Sequence, residues 1–150
     1  MKICLLPHKD QGRIYKLGPD GVYYRCFGCY ANNNVYRKNW ADADKKCHGD
    51  GGRLASLHTE EISRFVRDHM PWKSEAWIGG FHEDGKWQWS NGNKWSYENG
   101  TLTGSQSTNA HAARLNKDGM WVKQDKNQEN AYICEFDAKK ICSLHQIYTP

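Results

Sequence analysis

No stretch of the chain approaches the roughly 18 consecutive apolar residues that a bilayer-spanning helix needs. Nor do its 21 basic and 17 acidic residues form any block of five or six like charges. The first absence excludes a transmembrane helix. The second removes the clustered cations with which nucleic-acid and anionic-membrane binders displace counterions. Zinc coordination is also short of ligands, because neither a second Cys-x-x-Cys nor a pair of histidines at ligand spacing accompanies Cys26-Phe27-Gly28-Cys29. A redox pair would open a helix there, yet Asn32, Asn33 and Asn34 follow. Internal repeats and low-complexity linkers are missing as well. The opening MKICLLP is cut short as a signal peptide by Pro7, His8, Lys9 and Asp10, so Met1 reads as the start of a mature or recombinant chain.

What is present points to one folded domain. A length of 150 residues with 38% hydrophobic and 13% aromatic content, including seven Trp and eight Tyr, is enough to bury a single core. The net charge of +4 is spread along the chain and reads as a mixed, solvated surface. Six cysteines, an even number, fit disulfides in an oxidising compartment, and a secreted protein is expected.

Local patterns give helices first and short strands later. A strand is predicted at about 22–25 from its β-branched and aromatic residues. A helix is predicted at about 39–47, with Asn39 as cap and Trp40, Ala43 and Cys47 on one face. A second is predicted at about 60–69, where Thr59 caps, Glu60 and Glu61 face the positive dipole end, and Ile62, Phe65 and Val66 form the apolar stripe. Strand-like pieces broken by glycine follow at about 76–81, 86–90, 112–115, 120–123 and 131–136. That order argues α+β. Between Trp95 and Ala112 the chain has no period of either kind, and residues 99–113, NGTLTGSQSTNAHAA, hold no Asp, Glu, Lys or Arg. An insert of that kind in a compact domain is a candidate functional loop.

Seven motifs then arrive in a recognisable order: Cys29-Tyr30; Trp40-x-x-Ala43-x-x-x-Cys47; Gly52-x-Leu54-Ala55-Ser56-Leu57 with Glu61; Trp77-Ile78-Gly79-Gly80; Trp87-x-Trp89-Ser90-Asn91-Gly92; Gly119-x-Trp121; and Tyr132-Ile133-Cys134-Glu135. Together they resemble the C-type lectin-like domain over about residues 29–137. The resemblance implies a single α+β domain over 1–150 with a core at about 22–137. It also implies two helices, two small antiparallel sheets, pairing of the first and last strands, and a long loop that corresponds to the uncharged stretch. Cys47, on the inner face of the first helix, is expected to be stapled to Cys134 on a late strand. Trp77, Trp87, Trp89 and Trp121 are expected in the core, and Gly79 and Gly80 at a close backbone approach or bulge. Cys29 is expected to close a hairpin with Cys4 or, tightly, with Cys26. One of Cys4, Cys26 and Cys142 stays open to an intermolecular bond, and a homodimer is expected.

The sequence departs from the sugar-binding members of that family at their calcium site. There the long loop presents a carboxylate or amide, then Pro, then Asn or Asp, and the next strand presents Trp-Asn-Asp. Here Ser105-Gln106-Ser107 and Trp121-Val122-Lys123 stand at those places. Calcium takes about six to eight oxygens, several from carboxylates, so no cofactor is expected. Calcium held elsewhere, by Glu60, Glu61, Glu83 or Asp84, stays open. The family's loop disulfide is missing too: His111 or Ala112, and a position near Lys126, stand where its cysteines would be.

The expected function is therefore a secreted, calcium-independent lectin for glycans, preferring N-acetylated sugars such as GalNAc or GlcNAc. Gln106, Ser107, Asn109 and His111 in the loop, with Lys123 and Asp125 on the adjoining strand, are the candidate contacts, since amides and hydroxyls both give and take hydrogen bonds. The alternative is a protein-binding module that displays Trp72, Trp95 and Tyr97. An enzyme is not expected, because His82-Glu83-Asp84 is not a zinc-helix motif and Gly104-Ser105-Gln106-Ser107 lacks the second glycine of a nucleophile elbow. Asn99-Gly100-Thr101 is an N-glycosylation sequon within the loop.

Overall fold

A computed structural model describes residues 3–4, 15–29, 36–69, 75–100, 102, 106–137 and 148–149. Positions singled out from sequence that lie outside the described residues include Tyr30, Asn32, Asn33, Asn34, Trp72, Thr101, Gly104, Ser105 and Cys142.

The two helices among the described residues begin where the sequence supplies a cap. In α1 (Trp40–Gly49) the Asn39 side chain accepts a hydrogen bond from Asp42 N at 2.9 Å, and Trp40, Ala43 and Cys47 are buried. In α2 (Glu60–His69) Thr59 Oγ1 accepts from Ile62 N at 3.1 Å, with acidic residues in the first turn and Arg67 and His69 in the last. Its buried residues are Ile62, Ser63 and Val66. Phe65 is only half-buried and stacks on His69 with ring centroids 4.3 Å apart.

Ten short strands lie among the described residues. They are β1 (Ile3–Cys4), β2 (Lys16–Leu17), β3 (Val22–Phe27), β4 (Arg53–Leu54), β5 (Ala76–Glu83), β6 (Lys86–Trp89), β7 (His111–Leu115), β8 (Trp121–Asp125), β9 (Ala131–Asp137) and β10 (Tyr148–Thr149). β1 pairs with β10, and β3 pairs with β9 from Val22↔Asp137 to Phe27↔Tyr132, so early and late segments lie side by side. Two antiparallel groups result: β2-β3-β9 with β4 on β9, and β6-β5-β7-β8. A short parallel pairing, Ala76↔Ala131 and Trp77↔Tyr132, joins them into one mixed sheet. The β5–β6 corner is Asp84-Gly85, with φ of 55° and 78°, the left-handed pair that a tight hairpin favours. The His82-Glu83-Asp84 run is thus a hairpin end.

Two apolar clusters fill the interior. One holds Trp40, Ala43, Cys47, Leu54, Trp77, Tyr132 and Phe136. The indoles of Trp40 and Trp77 donate to Ile78 O at 2.9 Å and to Lys38 O at 3.0 Å. The expected Cys47–Cys134 disulfide crosses this cluster, with Cα atoms 5.5 Å apart. The other cluster holds Ile62, Val66, Ile78, Trp89, Leu115 and Trp121. Trp87 packs on it only partly buried, a correction to its expected place in the core. Cys29 bonds to Cys26, the tight alternative. Gly79 lies where a Cβ would come within 2.9 Å of Leu54 O, and a register shift between Trp77 and Phe81 marks the bulge.

A polar network holds the segment after β6 against this frame. Glu135 Oε1 accepts from Ser56 N at 2.6 Å and from Asn91 Nδ2 at 3.4 Å, while Asn93 Nδ2 reaches Ser56 Oγ at 3.1 Å. Burial, aided by the Asp20 charge and opposed by the Ser56 and Asn91 hydrogen bonds and by Arg53, pushes the Glu135 carboxyl up to about 7 from its usual 4.5. Folded Glu135 therefore keeps its proton between pH 4.5 and about 7 while the unfolded chain has lost it. Its contribution to stability is full below the unfolded value and is lost as pH rises through the folded one, by at most about 3 kcal/mol. Glu135→Gln keeps an acceptor for Ser56 N and does not titrate. Urea unfolding at pH 5 and pH 8 should show a smaller loss of stability at high pH in the variant than in the parent; equal losses would clear Glu135 of the effect.

Candidate functional site

The β7–β8 hairpin positions the candidate site. Its turn is set by Asn116, whose Oδ1 accepts from Asp118 N at 2.9 Å and from Met120 N at 3.0 Å. The register His111↔Asp125, Ala113↔Lys123, Leu115↔Trp121 puts these six side chains on one face. Ala113, Leu115 and Trp121 are buried, whereas His111 and Lys123 are half-buried and Asp125 is exposed. That face leaves the core and becomes accessible at the end that meets the uncharged loop.

Lys123 Nζ donates to the carbonyl of Gln106, so strand and loop are in direct contact. Next to it Ser107 is half-buried, and its Oγ has no hydrogen-bond partner among the described residues. The chain then turns at residues 108–111: His111 N donates to Thr108 O at 3.0 Å, and His111 Nδ1 accepts from Thr108 N at 3.1 Å. This fixes the tautomer, leaving Nε2 as the N–H of a neutral ring. Asn109 is exposed at the tip. Asp125 Oδ1 accepts from Asn127 N at 2.8 Å and so serves a turn of its own. Gln106, Ser107, His111, Lys123 and Asp125 thus share one region, with Asn109 at its edge. Asn99 of the sequon is half-buried, and its carbonyl accepts from Trp121 N at 2.7 Å.

The donor set does not suit calcium. An ammonium group is bonded to a loop carbonyl at the place where a divalent ion would need that oxygen, and the carboxylate of Asp125 on the same strand is engaged with Asn127. The other acidic candidates are scattered: Glu60 pairs with Arg64 at 2.7 Å, and Glu83 and Asp84 stand exposed at the β5–β6 corner. Among the described residues no three His, Cys, Asp or Glu side chains gather as metal ligands.

A second feature lies outside the candidate contacts named from the sequence. A groove of about 220 Å³ runs along β6 and the segment after it, lined by Lys86, Trp87, Gln88, Asn93 and Trp95. The signal that could have found it is the alternation Trp87-x-Trp89, which puts two rings on one face, followed by a third aromatic at Trp95. Trp95 and Tyr97, the candidates for a protein-binding surface, turn toward Trp121, with ring centroids 5.7 and 5.8 Å from it, and are half-buried.

Among the described residues, two helices, the first of them tied by a long-range disulfide to a mixed sheet, and a long loop leading into a two-stranded hairpin define the class of C-type lectin folds. The chain belongs to the Lectin C-type domain family, whose model matches residues 36–136. It is 36% identical over 74 residues to the human (Homo sapiens) secretory phospholipase A2 receptor, covering 47% of this chain and 5% of that one. It is 40% identical over 77 residues to lactose-binding lectin l-2 of Anguilla japonica, covering 49% of this chain and 46% of that one. The chain thus spans less than half the length of either relative. A solved structure of a calcium-independent type II antifreeze protein superposes with a TM-score of 0.71 at 20% identity, covering 90% of this chain and 96% of that one, a likeness of fold. No helix among the described residues is long and apolar enough to cross a membrane.

Proposed function

We propose that this chain is a non-enzymatic lectin that binds glycans through the loop and β8 without calcium, with a preference for N-acetylated sugars. The observation that carries the reading is the contact between Lys123 Nζ and the Gln106 carbonyl. It leaves a fixed ammonium group with further N–H donors where a sugar oxygen or an acetamido carbonyl can accept from it. His111 Nε2–H adds a donor, and the Gln106 and Asn109 amides give and accept. A secreted homodimer fits the cysteine-rich composition, and non-reducing electrophoresis reads whether a disulfide joins the two chains.

A glycan array run with calcium and again with chelator tests the proposal. GalNAc- or GlcNAc-terminated glycans are expected to bind equally in both. Lys123→Ala is expected to weaken binding at least about tenfold, since hydrogen bonds to a charged group contribute about 1.5 to 3 kcal/mol. Binding abolished by chelator would overturn the calcium-independent reading. Silence on every glycan would favour a protein-binding module.

A further inference from the structure

We propose that the groove over Trp87 is a second glycan contact, taking one pyranose ring flat against its indole. It deepens the lectin reading and rests on it, but it uses none of the loop residues. The Trp87 and Trp95 rings are half-buried and stack on one another, with planes 26° apart and centroids 6.0 Å apart, so Trp95 backs Trp87 and leaves it to supply the apolar floor.

That surface is held in place before any ligand arrives. Trp95 Nε1 donates to Glu98 Oε1 at 2.7 Å, its ring lies 4.4 Å from that of Trp89, and its far edge sits over Gly80, where a Cβ would come within 3.1 Å of it. From behind, His82 meets Trp87 edge-on, with centroids 5.5 Å apart. Ordering costs of binding fall when the contact surface is already fixed.

The groove's polar groups match a sugar's edge. Asn93 commits its Nδ2 to Ser56 Oγ and to His58 Nδ1, each at 3.1 Å, and Gln88 commits its Nε2 to Glu83 O at 3.0 Å. Among the described residues both side-chain carbonyls are left to accept, and Lys86 supplies an exposed donor. Trp89, only 3% exposed, also lines the groove, and its Nε1 has no hydrogen-bond partner among the described residues. No carboxylate lines it, which disfavours a cationic ligand. An apolar floor beside neutral acceptors and one donor fits a ring with one C–H face and a hydroxyl rim. A Cβ at Gly80 would meet both the Trp95 edge and Ala113, the β7 partner of Lys123, so the groove borders the β7–β8 hairpin.

The test is a titration of the isotope-labelled chain with the methyl glycosides of GalNAc, GlcNAc and galactose, followed by nuclear magnetic resonance. The indole N–H signals of Trp87 and Trp95 and the amides of residues 92–95 report the groove; the amides of 106–111 and 123–125 report the loop. Saturable shifts of the groove signals are expected, and they should persist in Lys123→Ala. Trp87→Leu is expected to weaken those shifts about tenfold and Gln88→Ala, which spares the core, about threefold. Shifts confined to the loop overturn the groove and leave the loop reading standing. Shifts confined to the groove support it and overturn the loop. Silence at both overturns both.

Discussion

Replacing Cys47 and Cys134 together by Ala is expected to lower the free energy of unfolding by about 4 to 5 kcal/mol. The bond spans 87 residues of sequence, and breaking so long a loop returns more conformational freedom to the unfolded chain than breaking a short one. Both cysteines are fully buried in the cluster with Trp40, Leu54 and Trp77, so the loss also touches packing. Against a total of about 5 to 15 kcal/mol for a domain of this kind, the double variant should be marginal. The Cys26–Cys29 bond, separated by 3 residues, offers the contrast. The same chain-entropy relation gives its removal about 2 kcal/mol. Urea unfolding of both variants reads the difference; equal shifts would sink the loop-length argument.

Much of this frame was legible in the sequence, and the reasons are local. Asn39 and Thr59 announce their helices because a cap needs only its own side chain and an N–H three residues on. The long-range disulfide was read from the order of motifs, since Cys47 falls on the apolar face of a helix and Cys134 among strand residues. Cys29 was harder. Its choice between Cys4 and Cys26 depends on where the chain runs before β3, which no periodicity records. Phe65 and Ser63 show the same limit on a smaller scale: helical spacing fixes a face, but neighbouring elements decide which of its flanks is covered.

The site divides in the same way. Gln106 and Lys123 were named separately, 17 residues apart, and only pairing of β7 with β8 brings the ammonium group to the loop carbonyl. His111 was marked as a ligand contact, yet half of its hydrogen-bonding capacity serves the turn at Thr108. Trp87 was assigned to the core because alternation puts it on the same face as Trp89. Whether a ring on that face is sealed or left open depends on the course of residues 92–95, which is set by Asn91 and Asn93 reaching across to Glu135 and Ser56. No pattern within β6 carries that information.

Trp121→Ala should cost about 3 to 5 kcal/mol of stability and, separately, glycan affinity at the loop. Its ring is fully buried and meets Trp89, Trp95 and Tyr97 edge-on at centroid distances of 5.2, 5.7 and 5.8 Å. Its backbone N–H holds Asn99 O at 2.7 Å, and it pairs with Gly100, so the start of the uncharged loop is tied to this residue. Two positions further along, Lys123 takes its place over the same face. A cavity at Trp121 would loosen the wall against which Trp95 and the 95–100 segment pack, and the Lys123–Gln106 contact with it. Trp77→Ala is the matched control, because Trp77 is equally buried but belongs to the other cluster. It should lose comparable stability and keep its affinity. Binding measured at low temperature, corrected for the fraction folded by circular dichroism, separates the two. Equal losses of affinity in both variants would mean that the Trp121 cluster does not set the shape of the loop, and that the site depends on global stability alone.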